Sequence, residues 1–151
     1  MVATAHLVAG AFLGRKLKKS KYIVPVSFAS HFVLDSIPHW QPVVNLQDWN
    51  STTFVGVFGD VFLALFLLFL ILKKNSKFFY PILLGFFFAV LPDFGLGFSL
   101  YLPFILEIPP ISYFWDFHIY VHRHTSSLLG IIPQLFIIFF GLFFLLKKKI
   151  D

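Results

Sequence analysis

Residues 31 to 40 read His-Phe-Val-Leu-Asp-Ser-Ile-Pro-His-Trp, with His31, Asp35 and His39 spaced four apart. Steps of four advance by only about 40° around an α-helix, so such residues share a face. Pro38 is expected to end or bend the helix and turn His39 into the following loop. A His and an Asp inside an apolar segment are costly to bury without a partner, and a divalent cation is the simplest one. A second constellation is His118-Ile-Tyr-Val-His122-Arg123-His124. The four-residue spacing predicts His118 and His122 on one ion. The candidate ligand set is His6, His31, Asp35, His39, Asp60, Asp93, His118, His122 and His124, which includes all six His of the chain. All-N/O ligation suits Zn²⁺, with Mn²⁺ or Fe²⁺ as alternatives. The chain has no Cys, which excludes thiolate ligands, disulfides and a Cys nucleophile.

These residues must be positioned by apolar elements. The chain is 58% hydrophobic, carries 23 Phe and is only 13% charged, which excludes an ordinary soluble domain and points to a helical membrane protein. Its 151 residues suit a single domain, 1–151. Residues 2–14 form a short segment rich in Ala and Gly, expected to pack tightly on another helix. Residues 22–37 form a second short helix, with Pro25 in its first turn. Full spans are expected at 54–72, 78–92 and 128–146. The sum is an all-α, polytopic membrane protein with about five membrane-embedded helices, the first two short. The loop 38–53 is polar, and 94–127 should hold short interfacial helices near 98–106 and 111–122.

The net charge of +5 does not argue for nucleic acid. Eleven of the twelve Lys and Arg lie in three clusters, 15–21, 73–77 and 147–149, beside apolar segments. That is the positive-inside pattern, which predicts a cell-membrane protein with a cytoplasmic C-terminus. Six of the seven carboxylates then fall on the opposite side. Counted at about 1.5 Å per residue from the basic clusters, Asp35, Asp60 and Asp93 reach similar depths of roughly 20–24 Å. Together they outline a polar pocket sunk into the outward-facing half of the membrane. Each residue also has a plainer structural reading. His31 and Asp35 can hydrogen-bond to lock helices, Asp60 can answer a helix dipole, and Asp93 can cap a helix end.

Thr4-Ala5-His6-Leu7, His31-x-x-x-Asp35, Leu91-Pro92-Asp93, His122-Arg123 and His124-Thr125-Ser126-Ser127-Leu128 resemble motifs of the membrane-bound metal-dependent hydrolases. That family is similar in turn to zinc-dependent phospholipase C and the P1-type nucleases, all-α phosphoesterases with clustered zinc. In the family pattern a second Asp and a His follow Leu-Pro-Asp, where this chain has Phe94 and Gly95. The resemblance implies a metal-dependent hydrolase, most simply a phosphoesterase. Its substrate would be a lipid-like or membrane-proximal phosphoester, and its partners membrane lipids. His31, Asp35, His118 and His122 are then the leading ligands. Asp93, Asp60 or His39 would complete the shell or serve as general base, and Arg123 would hold a phosphate oxygen. Two other classes stay open. A cation or proton transporter would use intramembrane Asp and His, although the basic side offers no matching carboxylate or His. A structural protein would use the same residues only as a packing network.

Overall fold

In the computed structural model the chain is helical, and residues 1–41, 50–95, 102–125 and 128–147 are described. Helices α1 (Ala3–Leu17) and α2 (Ser20–Asp35) are joined by a two-residue turn. They are followed by α3 (Ser51–Lys74), α4 (Phe79–Val90), α5 (Pro109–Val121) and α6 (Ile131–Leu146). Short 3₁₀ turns cover Ser76–Phe78, Leu91–Asp93, Pro103–Glu107 and Leu128–Gly130.

Among the described residues, three helical stretches are long and apolar enough to cross a membrane: Ser51–Lys74, Ser76–Asp93 and Leu128–Leu146. They fit a membrane protein. They correspond to the full spans expected at 54–72, 78–92 and 128–146, whereas α1 and α2, with 15 and 16 residues, fall short of the roughly 20 of a span. Half of the expected polar loop, 42–49, lies outside the described residues, as does 96–101, which includes part of the first expected interfacial helix. The second interfacial helix is present as α5, opened by Pro109, whose missing N–H costs nothing at a helix start.

α1 is the centre of the assembly and packs against α2, α3, α4 and α6. Its small residues allow this. A Cβ added at Gly10 would lie 2.3 Å from the Gly85 carbonyl oxygen, and one at Gly14 would lie 2.0 Å from that of Pro81. Gly10 and Gly14 thus meet the Pro81, Gly85, Ala89 face of α4 at backbone contact, the close-packing device expected of the Ala- and Gly-rich segment. Leu7, Val8 and Ala11 of α1 form the apolar core with Ala64, Leu68, Ile71, Ile82 and Leu145. Around it, Phe58, Phe62, Phe66, Phe69, Phe136, Phe139 and Phe143 stay outward, where lipid would meet them.

Two helix boundaries differ from expectation for physical reasons. α2 begins at Ser20, so Pro25 falls in its second turn, where the ring removes one backbone hydrogen bond. α1 runs on to Leu17 and stops at Lys18, which adopts φ 61° and donates its N–H to the Gly14 carbonyl, 3.1 Å away. That left-handed cap reverses the chain within two residues.

Candidate metal centre

Asp35 is the last residue of α2 and is fully buried. Its carboxylate is where four elements meet. His31, one turn earlier on α2, places Nε2 3.0 Å from Asp35 Oδ2. His118 of α5 brings Nε2 to 3.4 Å from the same oxygen. His6 of α1 brings Nε2 to 3.1 Å from Oδ1. Asp93, in the 3₁₀ turn that closes α4, sets Oδ1 3.6 Å from His31 Nε2 and 3.8 Å from His118 Nε2. The Met1 amino group also pairs with Asp35 Oδ1.

The loops are fastened to hold this arrangement. Pro38 does what the sequence suggested, since α2 stops at Asp35 and His39 folds back, fully buried. The His39 N–H donates to the Arg123 carbonyl (3.0 Å) and the Arg123 N–H to the Asp35 carbonyl (2.8 Å). The Thr125 N–H donates to the His39 carbonyl at 2.8 Å, completing a bridge between His39 and His124. Gly130 leaves room for this crossing, because a Cβ there would lie 2.6 Å from the Trp40 nitrogen.

Tautomers follow from the backbone. The Nδ1 of His31 lies 2.8 Å from the Ala89 carbonyl oxygen, which can only accept, so Nδ1 carries the proton and donates it. In neutral His31 the Nε2 is therefore a bare lone pair. It faces Asp35 Oδ2 at 3.0 Å and His118 Nε2 at 3.1 Å. His39 is built the same way. Its Nδ1–H donates to the Ile37 carbonyl at 2.8 Å, and its buried Nε2 has no hydrogen-bond partner among the described residues. A ring held by a carbonyl at one nitrogen and open at the other is the arrangement of a metal-ligating His.

These groups could hold a metal ion. One oxygen or nitrogen from each of His31, Asp35, Asp93 and His118 lies within 4.8 Å of all the others, and the same is true of Asp35, His39 and His122. Zinc ligands sit about 2.1 Å from the ion, so two ligands of a tetrahedral site are about 3.4 Å apart. The five separations measured in the first group, 3.0, 3.1, 3.4, 3.6 and 3.8 Å, centre on that value.

The sequence-derived candidates divide accordingly. His118 and His122 do not converge on one position, because α5 ends at Val121 and His122, at φ −69° and ψ 114°, turns away from the helix. His118 joins His31 and Asp93, and His122 joins His39. Burial, then the nearby Met1 amino charge, hold the His122 imidazole down to about 3, against the pull of Asp35; His39 is lowered by the same two causes. His6 reaches Asp35 but stands beside the first group, stacked on His31 with ring centroids 4.1 Å apart. Asp60 belongs to neither group. Its carboxylate accepts from the Ala3 N–H (2.6 Å), the Thr4 N–H (3.2 Å) and the Thr4 hydroxyl (2.6 Å). It caps α1 from α3, answering the free N–H groups of a helix start. His124 is exposed and contributes backbone only, and Arg123 is exposed beside His122.

Gln134 is a polar residue the sequence reading passed over. Buried in α6, it accepts from the Val2 N–H (2.9 Å) and donates to the Trp40 carbonyl (2.7 Å), tying the start of α1 to the loop after α2. A lone amide in an apolar span was the available signal. A surface groove lined by Asn50, Ser51, Phe54 and Val55 shares no residue with the His–Asp cluster. Comparison with known proteins adds no further assignment: no protein-family profile, curated protein or solved structure matches the chain.

Proposed function

We propose that the chain is a metal-dependent membrane hydrolase acting on phosphoesters, with its centre at His31, Asp35, Asp93 and His118. The observation that supports this best is the His31 ring. Its proton is committed to the Ala89 carbonyl, yet its Nε2 lone pair faces a carboxylate oxygen 3.0 Å away. In the neutral ring two acceptors would repel at that distance; a proton on Nε2 or a shared metal ion removes the repulsion, and only a metal ion also serves His118 and Asp93. Zn²⁺ is the ion the tetrahedral separations favour. When bound, such an ion supplies an activated water and charge stabilisation for hydrolysis. Among the protein groups, Asp93 has a side chain 32% exposed, which makes it the group that meets substrate and solvent. Arg123 lies next to His122 in sequence and offers a planar, permanently charged fork for a phosphoryl oxygen. The apolar surroundings suit a phosphoester carried on a lipid-like molecule, and the positive-inside rule puts the centre on the outward side of a cell membrane.

The test is elemental analysis of detergent-purified protein beside a His31→Ala/Asp35→Ala double variant. It is followed by turnover of chromogenic phosphate mono- and diesters. Bound transition metal in the parent, lost in the double variant, and ester cleavage that follows the metal are the expected results. No metal after reconstitution with Zn²⁺ and Mn²⁺ would overturn the reading. A second reading is favoured by one observation, the pairing of the Met1 amino group with Asp35. On that reading the ammonium is the counter-ion of a packing network, and the double variant loses stability with no metal at stake.

A further inference from the structure

We infer that the basic end of the bundle is a binding surface for anionic phospholipid headgroups, assembled from the turn between α1 and α2, the turn between α3 and α4, and the end of α6. The surface lies at the opposite end of the helices from the His–Asp cluster and does not depend on a metal there.

The basic clusters 15–21, 73–77 and 147–149 lie far apart in sequence. Packing draws them together. Gly14 sits against the Pro81 backbone. Arg15 Nη1 donates to the Phe144 and Leu145 carbonyls at 2.8 Å each, and Asn75 Nδ2 donates to the Leu145 carbonyl at 3.0 Å. Lys18, held at φ 61°, carries its Nζ across to the second cluster, 5.7 Å from the Phe78 ring centroid. Arg15 and Asn75 are thus engaged inside the protein. Lys16, Lys18, Lys19, Lys21, Lys73 and Lys77 are exposed around them.

Two observations point to an anionic lipid as what covers these lysines. The first is charge without a counter-charge. Among the described residues no Lys or Arg pairs with a carboxylate, since every ion pair there involves Met1 or a His. α2 also starts at this end with no side-chain cap and no acidic residue in its first turn, so its dipole adds to the lysines. The second is depth. α3 ends at Lys74 and α6 at Leu146, directly after apolar stretches long enough to cross a membrane. Tyr22 and Tyr80, exposed beside the lysines, mark the level of the headgroup layer. Lys21 Nζ lies 5.0 Å from the Tyr22 ring centroid and Lys147 Nζ 5.4 Å from that of Phe143. Ammonium groups laid on rings at the membrane rim are held at headgroup level rather than extended into water. The phosphodiesters of anionic lipids occupy that layer, and each lysine close to them favours their binding roughly fivefold.

The experiment reconstitutes the full chain in phosphatidylcholine vesicles. Electron paramagnetic resonance then compares the association of spin-labelled phosphatidylglycerol with that of spin-labelled phosphatidylcholine carrying the same acyl chains. A metal chelator is present throughout, so that a phosphoester held at the His–Asp end does not enter the comparison. A preference for the anionic lipid of at least about fivefold is expected. It should collapse in about 1 M NaCl, where charges are screened beyond about 3 Å, and this arm needs no variant. Lys18→Gln/Lys77→Gln should lower the preference at least about threefold. Lys18→Arg/Lys77→Arg keeps both charges and should keep it, with circular dichroism checking that both variants remain folded. No preference in the parent, or one that salt and the Gln variant leave unchanged, would overturn the inference. Displacement of the labelled anionic lipid by inorganic phosphate at the same concentration would assign the surface to a free anion and overturn it as well. A preference lost equally in the Arg variant would do the same, by showing that packing rather than charge selects the lipid.

Discussion

At the basic end of the helices, Arg15 Nη1 donates to the Phe144 and Leu145 carbonyls at 2.8 Å each, and Asn75 Nδ2 donates to the Ile71 and Leu145 carbonyls at 2.8 and 3.0 Å. Donors there meet the free carbonyls that every helix C-terminus presents. At the opposite end, Asp35 gathers His31 Nε2, His118 Nε2 and the Met1 amino group, with Asp93 Oδ1 close by and, among the described residues, no hydrogen-bond partner for His39 Nε2. Both ends carry polar groups in an apolar chain. One is closed by the protein's own hydrogen bonds, and in the other the Asp35 and Asp93 carboxylates and several imidazoles gather around one ammonium, that of Met1. A polar cluster complete in itself stabilises structure, whereas one with an unmet acceptor is a place for a ligand.

Asp35→Asn should break that comparison most sharply. The amide keeps the shape of the carboxylate but cannot bring its charge to an ion. Phosphoester turnover should fall by more than the roughly 10–100-fold that loss of an outer partner costs a metal site. Membrane insertion should be unaffected. Full turnover in this variant would remove Asp35 from the chemistry.

Gly85→Ala tests how the middle of the bundle serves the His–Asp end. The new Cβ would lie 2.1 Å from the Gly10 carbonyl oxygen, a backbone atom that cannot swing aside. Overpacking of this kind costs about 1–3 kcal/mol. Because Ala89, one turn on, supplies the carbonyl that fixes His31, metal affinity should fall together with the unfolding midpoint. A loss of stability with unchanged metal affinity would show that the His31 ring is set by α2 alone.

At the basic end, Asn75→Ala removes two hydrogen bonds whose carbonyls keep other donors, Arg15 at Leu145 and the residue-75 backbone N–H at Ile71, and should cost about 0.5–1.5 kcal/mol. Bound metal per folded chain should not change. A change would mean that the two ends are coupled through α3 and α6, against the separation argued above.

The parts legible in the sequence were those encoded within one helix. His31 and Asp35 share a face by spacing alone, and Gly10 and Gly14 announced a close contact without naming its partner. What was hidden depends on other elements. The depth of Asp60 could be counted from its distance to Lys73, but its partners are backbone N–H groups of α1, which sequence does not mark. The pairing of His118 with His122 assumed a helix that continued, and α5 ends one residue too soon. His39 was legible as a turned-back residue because Pro38 forces the break. Its orphaned nitrogen appears only once the Ile37 carbonyl is seen to hold the other side of the ring.

The smallest expected effect concerns acid. In the metal-free protein, burial and the Met1 amino charge lower the His122 imidazole from 6.5 to about 3. The unfolded chain then binds a proton near pH 6.5 that the folded chain refuses until near pH 3. Folding stability is therefore fully present above about pH 6.5 and declines as the pH falls towards 3. His39, lowered for the same reasons, acts in the same direction. The Asn75 amide and its carbonyl partners at the basic end do not titrate, so the decline belongs to the His–Asp end. The unfolding midpoint of metal-free protein should drop between pH 6.5 and 4, and less steeply in His122→Gln. A parent midpoint that stayed flat over that interval would mean that the His122 ring opens to water and takes up its proton without unfolding.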